Sequence, residues 1–388
     1  MIFRKITESE RHAASSIQSR AFHFPINHDL KKPVETYRAA FTHQGQMTAC
    51  LELIDYDVWF DGQTVGMGGI GGVASLPEYR RSGHVRGLFD LVFEEMRDRG
   101  DVFSWLFPFS FEYYRKFGYE VGCCARHVTI PLAELLPLAQ PGRAEQFLPG
   151  GNPEPIITIY NDFACRYNML ADRTGCQWQT RLEINPDEKL VFSYVWYDAQ
   201  DRPAAYFQYR FNEKSAGPRT MEVTDIAWRT HEGLVGLLGF MGRFQGNLEK
   251  VAVTAGPDFQ PELLLPEPRQ LEIKIRFLGM NRVINAQKAL ERMAKPQGGG
   301  SAAIGVIDTM ARWNDGTWQV NWDDSGCEVV PASRAADITL SAPAFAQLVT
   351  GYLPFEQLAR RQDVEVSGDA QALARLFPGK KIFVADFF

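Results

Sequence analysis

The sequence has little of what usually marks a chemistry. Its seven histidines are scattered, no H-E-x-x-H is present, and Cys50, Cys123, Cys124, Cys165, Cys176 and Cys327 never fall at C-x-x-C spacing. No metal site is therefore expected, and the cysteines read as reduced core residues of a cytoplasmic protein. No apolar run approaches the roughly 20 residues that cross a bilayer. Residues 1–11 hold no apolar stretch of the kind that opens a secretory signal. Neither a membrane nor an export role is expected. Positive charge is not in excess: 41 Lys and Arg stand against 47 Asp and Glu, a net charge of −6. That balance speaks against a nucleic-acid partner and suits a cationic substrate. A phosphate loop of the form G-x-x-x-x-G-K-S/T is also missing.

What is present begins with length. A chain of 388 residues, 45% hydrophobic and 12% aromatic, reads as a globular protein of two or three domains. The stretch that organises it runs from Gly66 to Leu88. It reads as a strand over residues 66–75, a polar turn over 76–82, then a helix with Val85, Leu88, Val92 and Met96 at helical spacing. The turn sets Arg80, Arg81 and Gly83 where the helix begins. A helix start carries unpaired N–H groups and the positive end of the dipole, so it suits a phosphate. Gly66-Met67-Gly68-Gly69-Ile70-Gly71 matches G-x-G-x-x-G. That pattern signals a dinucleotide only when a helix opens within it, and here Pro77 intervenes before the helix near Gly83. We reject the match.

Arg80-Arg81-Ser82-Gly83-His84-Val85 resembles the pyrophosphate loop R/Q-x-x-G-x-G/A of the GNAT acetyltransferases, with Val85 in place of the last small residue. That departure is found in the Eis (enhanced intracellular survival) type of N-acetyltransferase. Tyr114-Arg115-Lys116-Phe117-Gly118-Tyr119 is similar to the Y-x-R/K-F-G-Y of the same branch. The order of elements over the first part agrees with a GNAT domain. It runs strand 3–6, helix 8–22, loop 23–32, a second helix over 34–41, strands 47–56 and 63–69 about Asp61-Gly62, the organising stretch, and a buried strand within 101–109.

Residues 131–155 carry Pro137, Pro141 and the run Pro149 to Pro155, and read as a loop-rich boundary. Beyond it lies a worn second copy, with strands over 190–196, 204–211, 222–229 and 251–254 and a helix over 234–248. Its turn, Arg229-Thr230-His231-Glu232-Gly233-Leu234, lacks the loop pattern and carries an acid, which suits a structural role. Met280-Asn281-Arg282-Val283-Ile284-Asn285 is similar to the M-x-R-V-x-D that opens the third part in the family, with Asn285 as a departure. Strands over 303–308, 317–322 and 336–340 and helices over 342–350 and 369–377 complete a unit resembling a sterol-carrier-protein-like domain.

The fold this resemblance implies is α+β and α/β. A catalytic GNAT domain (1–150) precedes a degenerate one (151–280) and a sterol-carrier-protein-like α+β domain (281–388). It also implies an acetyl-CoA-dependent N-acetyltransferase acting on a primary amine of a small molecule or peptide: an aminoglycoside, a polyamine or a lysine. Val73, Ala74 and Ser75 would hold the pantetheine arm. Arg81, Ser82, Gly83, His84, Val85 and Arg86 would hold the pyrophosphate, and Phe109 and Ser110 would add further contacts. Tyr114, ahead of Tyr113 and Tyr119, would be the general acid. The carboxylate of Phe388, on an unusually apolar terminus, would be the general base, and the assembly a homohexamer. The plain alternative is that these aromatic residues only pack. Two rival functions are a myristoyl-type fatty-acyl transferase and a non-catalytic acyl-CoA or lipid-binding protein.

Overall fold

The computed structural model describes residues 1–25, 33–211, 219–324 and 326–387. Its frame is a twelve-stranded sheet with strand order β1-β2-β3-β4-β5-β12-β6-β11-β10-β9-β8-β7. The first half supplies β1 (Ile2–Lys5), β2 (Tyr37–Phe41), β3 (Met47–Phe60), β4 (Gln63–Ser75), β5 (Phe103–Leu106) and β6 (Glu120–Pro131). The second half supplies β7 (Arg143–Phe147), β8 (Val191–Tyr197), β9 (Pro203–Phe211), β10 (Thr220–Trp228), β11 (Lys250–Ala255) and β12 (Glu272–Val283). The order is palindromic, and the last strand of each half lies beyond the centre. β12 sits beside β5, and β6 sits beside β11. The parallel pairs β4–β5 and β10–β11 hold equivalent places. The duplication read from the sequence is thus a two-fold repeat with exchanged final strands, built around one shared sheet.

Local chemistry accounts for the elements around the first helix. β3 and β4 form a hairpin because Asp61 and Gly62 both take positive φ, 50° and 78°, the combination that a two-residue turn requires. Helix α1 (Arg11–Phe22) packs on β3 and β4. Helix α2 (His84–Arg99) buries Leu88, Phe89, Val92, Phe93 and Met96 completely, five apolar side chains at helical spacing. One of the glycines that imitate a dinucleotide pattern, Gly68, serves this contact. A Cβ on Gly68 would lie 2.0 Å from the Met96 sulfur, so only glycine lets the helix approach β4 this closely.

The expected helix over 34–41 is a strand. Only Val34–Thr36 turns, as a 3₁₀ segment, and all five residues of β2 are buried between β1 and β3. The stretch mixes apolar residues with Glu35, Thr36 and Arg38 and carries no clean period, and burial by the neighbouring strands decided it. The expected loop over 131–155 contains β7, an edge strand. The helix expected over 234–248 runs His231–Gly242.

The third part carries a separate five-stranded sheet, order β15-β14-β13-β16-β17. Its strands are β13 (Gly300–Ile307), β14 (Gly316–Asp323), β15 (Gly326–Pro331), β16 (Ile338–Ser341) and β17 (Val364–Val366), of which β15 and β17 had no sequence signal. The helices Ala342–Thr350 and Ala370–Leu376 fall where the spacing placed them. Arg282 of β12 ties this part to the first. It is fully buried, pairs with Asp308 at 2.6 Å and lies over the Phe93 ring of α2.

Candidate active site

β4 and β5 pair from Met67↔Phe103 to Ile70↔Leu106 and then part, because β5 ends while β4 continues to Ser75. On its other side β4 slips register against β3 between Gly71 and Ala74, around Gly72 at φ +54°. A bulge bends a strand and re-aims the residues beyond it. Residues 73–75 therefore present a backbone edge that β5 does not cover. The 3₁₀ segment Pro77–Tyr79 turns the chain, Arg81 takes φ +62°, and Gly83 at φ +81° forms the N-cap of α2. No side chain caps this helix, and its first turn holds no acid. Its first amides therefore lack partners and the dipole's positive end is uncompensated, which is the chemistry of an anion site. Nothing lies within 4 Å of the place a Cβ on Gly83 would occupy.

A cavity of about 640 Å³ opens here. Of the residues expected from sequence, Val73, Ala74, Ser75, Arg81, Gly83, His84, Val85, Arg86 and Phe109 line it. Ser82, Ser110 and Tyr114 do not. Ser110 instead caps the short helix α3 (Phe111–Arg115), its hydroxyl accepting from the Tyr113 amide at 3.3 Å. His84 turns its ring inward, where Nδ1 lies 2.5 Å from the Thr48 hydroxyl. Burial, aided by the chain's terminal ammonium, holds its pKa below the ordinary 6.5. The ring is neutral at physiological pH, and His84 offers an amide rather than a charge. Charge comes from Arg81 and Arg86, and from Arg80 and Lys116, which the sequence reading left out of the binding set. Among the described residues none of these four enters a salt bridge. A basic cleft thus stands on a chain whose net charge is negative. Lys116 was legible: it follows Tyr113 by one helical turn and lies over that ring at 5.8 Å.

The three tyrosines separate by environment. Tyr119 is fully buried and its hydroxyl is engaged with Ser104, 2.6 Å away. Tyr113 lines the cavity, half-buried. Tyr114 lies behind it at 4% exposure, its ring 5.4 Å from Phe109 and 5.2 Å from Tyr113. Burial, more than the two neighbouring phenols, pushes its pKa well above the usual 10, so Tyr114 holds its proton at any physiological pH. Phe388 lies outside the described residues. Phe387 packs on Phe107 with ring centres 4.5 Å apart, just beyond the end of β5, where β4 and β5 part.

The turn of the second half differs in chemistry. Thr230 caps the helix His231–Gly242, its hydroxyl accepting from the Gly233 amide at 3.0 Å, and Glu232 occupies the first turn. That helix start has a capping hydroxyl and an acid of its own. Among the described residues, no group of three or more His, Cys, Asp or Glu could hold a metal ion, and no helix is long and apolar enough to cross a membrane.

Comparison with known proteins agrees with this architecture. Residues 3–122 and 170–283 match two acetyltransferase (GNAT) domain families, and residues 286–385 match a sterol carrier protein domain. No curated protein matches by sequence. Among solved structures, the chain is similar to a GCN5-related N-acetyltransferase from Anabaena variabilis, at TM-score 0.88 and 22% identity over 100% of both chains. A probable N-acyltransferase of unknown function from Enterococcus faecalis aligns at TM-score 0.87 and 22% identity, over 100% of this chain and 99% of that one. Eis1 from Mycobacterium abscessus aligns at TM-score 0.83 and 20% identity over 100% of both. Two GNAT domains followed by a sterol carrier protein domain make up this chain, and that composition is an N-acetyltransferase's.

Proposed function

We propose that the cleft at the start of α2 binds acetyl-CoA and that the protein transfers its acetyl group directly to a primary amine. The observation that carries this reading is the uncapped, cation-rimmed helix start opening beside the bulged edge of β4. Backbone amides of residues 83–86, with Arg80, Arg81 and Arg86, supply what a pyrophosphate needs. The free edge of residues 73–75 matches the amide groups of a pantetheine arm. Gly83 leaves space where a side chain would stand in the way.

In the reaction the amine nitrogen bonds to the acetyl carbon and the carbon–sulfur bond breaks. The thiolate takes its proton from Tyr114, and the ammonium proton passes to the carboxylate of Phe388, directly or through water. Resemblance is what supports Tyr114 in this role, and Tyr113, which lines the cavity, is the alternative donor. The cation-rimmed cleft accounts for the anionic co-substrate, while the negative net charge suits a cationic acceptor such as an aminoglycoside, a polyamine or a lysine side chain. Resemblance to Eis-type enzymes further suggests a cytoplasmic homohexamer, which light scattering of the purified protein would measure.

The test is a screen of those three amine classes with acetyl-CoA, following free thiol. Myristoyl-CoA serves in parallel to separate a fatty-acyl transferase. Amine-dependent thiol release with acetyl-CoA is the expected result. Its absence across all three classes would overturn the reading.

A further inference from the structure

The first half keeps its cleft open, but the second half's equivalent cleft is filled by the chain's own C-terminal segment. β10 pairs with β11 from Thr220↔Lys250 to Val223↔Val253, and β10 shifts register against β9 between Val223 and Asp225. This is the counterpart of the place where β4 bulges and leaves β5. Phe383, Val384, Ala385 and Phe387 lie there against Val223–Ile226 and Thr254, leaving about 60 Å³. The segment reaches this place from the third domain along a fixed path. Lys380 pairs with Asp61 at the β3–β4 turn, and the Phe383 amide donates to the Asn168 carbonyl at 3.2 Å.

A buried charge cluster grips its end. Arg173, with no exposed side-chain surface, donates to both oxygens of Asp225 (2.6 and 3.1 Å) and to both of Asp386 (3.1 and 3.3 Å). Arg181 donates to Asp386 at 2.5 Å and lies 3.7 Å from Asp225. The Tyr206 hydroxyl donates to Asp225 at 2.8 Å, and the Arg173 guanidinium lies over the Tyr160 ring at 3.8 Å. Two guanidiniums and two carboxylates balance. Buried ion pairs of this kind add little stability over apolar packing, and their attested use is to fix register. A cluster of this kind on Asp386 therefore points to placement of the segment that carries it. One residue on, Phe387 meets Phe107, just past the end of the first half's β5.

We propose that the second GNAT domain is a socket for the C-terminal segment, in which Arg173 and Arg181, braced by Asp225, grip Asp386 and thereby set the position of the terminal carboxylate that serves the first domain. This rests on the reading of the Phe388 carboxylate as base. Asp386, Arg173 and Arg181 are positioning residues.

Three variants of the full chain test it: Asp386→Asn, Arg181→Gln and a deletion of Phe388, assayed with acetyl-CoA and the amine that turns over fastest. Arg181 is the part-exposed member of the cluster, so Arg181→Gln should melt close to wild type. Asp386→Asn leaves buried Arg173 with one carboxylate and should melt lower, so its turnover is read below its own transition; Arg173, at the centre, is left intact. Both variants should lower kcat about ten- to a hundredfold, the scale of an ångström-sized misplacement of a reacting group. Both should leave the KM for acetyl-CoA within about twofold and speed carboxypeptidase release of terminal phenylalanine. Arg181→Lys, which keeps the charge, should recover most of the lost turnover. If deleting Phe388 abolishes turnover while Asp386→Asn and Arg181→Gln turn over normally, the socket is overturned and the base reading stands. If deleting Phe388 is harmless, the base reading falls and takes the socket with it. A rise in KM at unchanged kcat would also overturn the socket.

Discussion

Gly83 combines two demands at one position: a positive φ at the N-cap of α2 and open space where a Cβ would stand. Gly83→Ala tests them together, and Gly45→Ala separates them. Gly45 has a similar φ of 84° and equally open surroundings, but sits in the turn between β2 and β3. Each should cost about 1–2 kcal/mol through left-handed strain. Only Gly83→Ala should raise the KM for acetyl-CoA, by about tenfold, in steady-state assays. Equal KM values in the two variants would remove this loop from the binding site. The tyrosines divide in the same way. Tyr114→Phe removes only a hydroxyl and should leave the melting temperature nearly unchanged, while kcat falls by about two to four decades, the range for a positioned acid. Loss of turnover in Tyr113→Phe alone would shift the role to the tyrosine that lines the cavity.

Two helix starts occupy equivalent places, and their caps tell them apart. α2 begins at a glycine with no capping side chain; the helix His231–Gly242 begins at Thr230, whose hydroxyl accepts from the Gly233 amide. Thr230→Ala should cost about 1 kcal/mol of stability, the usual worth of such a cap, with the KM for acetyl-CoA unmoved. A raised KM would mean that the second half binds the co-substrate too. Asp225 on β10 gives a pH signature. Burial alone would raise its pKa; Arg173 and Arg181 outweigh that and hold the carboxyl below its ordinary 3.8. A carboxylate depressed in the folded state contributes stability that is complete above its unfolded pKa and is lost as pH falls through the folded one. Asp225→Asn should therefore melt well below wild type at neutral pH, with the gap closing as the pH drops below about 4. A gap that stays constant down to pH 3 would show that the charge of Asp225 adds nothing.

On the scale of the whole molecule, the C-terminal segment joins all three parts. It leaves the third domain, crosses the second half's cleft and sets Phe387 against Phe107, just past the first half's β5. A peptide carbonyl cannot accept an ammonium proton in place of a carboxylate. Adding a single residue after Phe388 should thus abolish turnover, while an equal addition before Met1 should leave it intact. Two proteins differing only in the extended end, both checked by thermal melting, make the comparison. Full activity in the C-terminally extended one would reduce Phe388 to packing.

What the sequence determined by itself was whatever rests on short-range pattern. The apolar stripe of α2, the Asp61-Gly62 hairpin, the glycine at the helix start and the arginines before it are local arrangements whose physics needs no distant partner. The tertiary structure decided the rest. Residues 37–41 became strand β2 because β1 and β3 flank them, which no periodicity records. The exchange of β6 and β12 across the centre depends on pairing between strands far apart in the chain. Arg173, Asp225 and Asp386 look like ordinary surface charges in sequence, since each lies far from the others and none belongs to a motif. Only the folded chain brings them together, because burial makes each charge depend on partners that the linear order keeps apart.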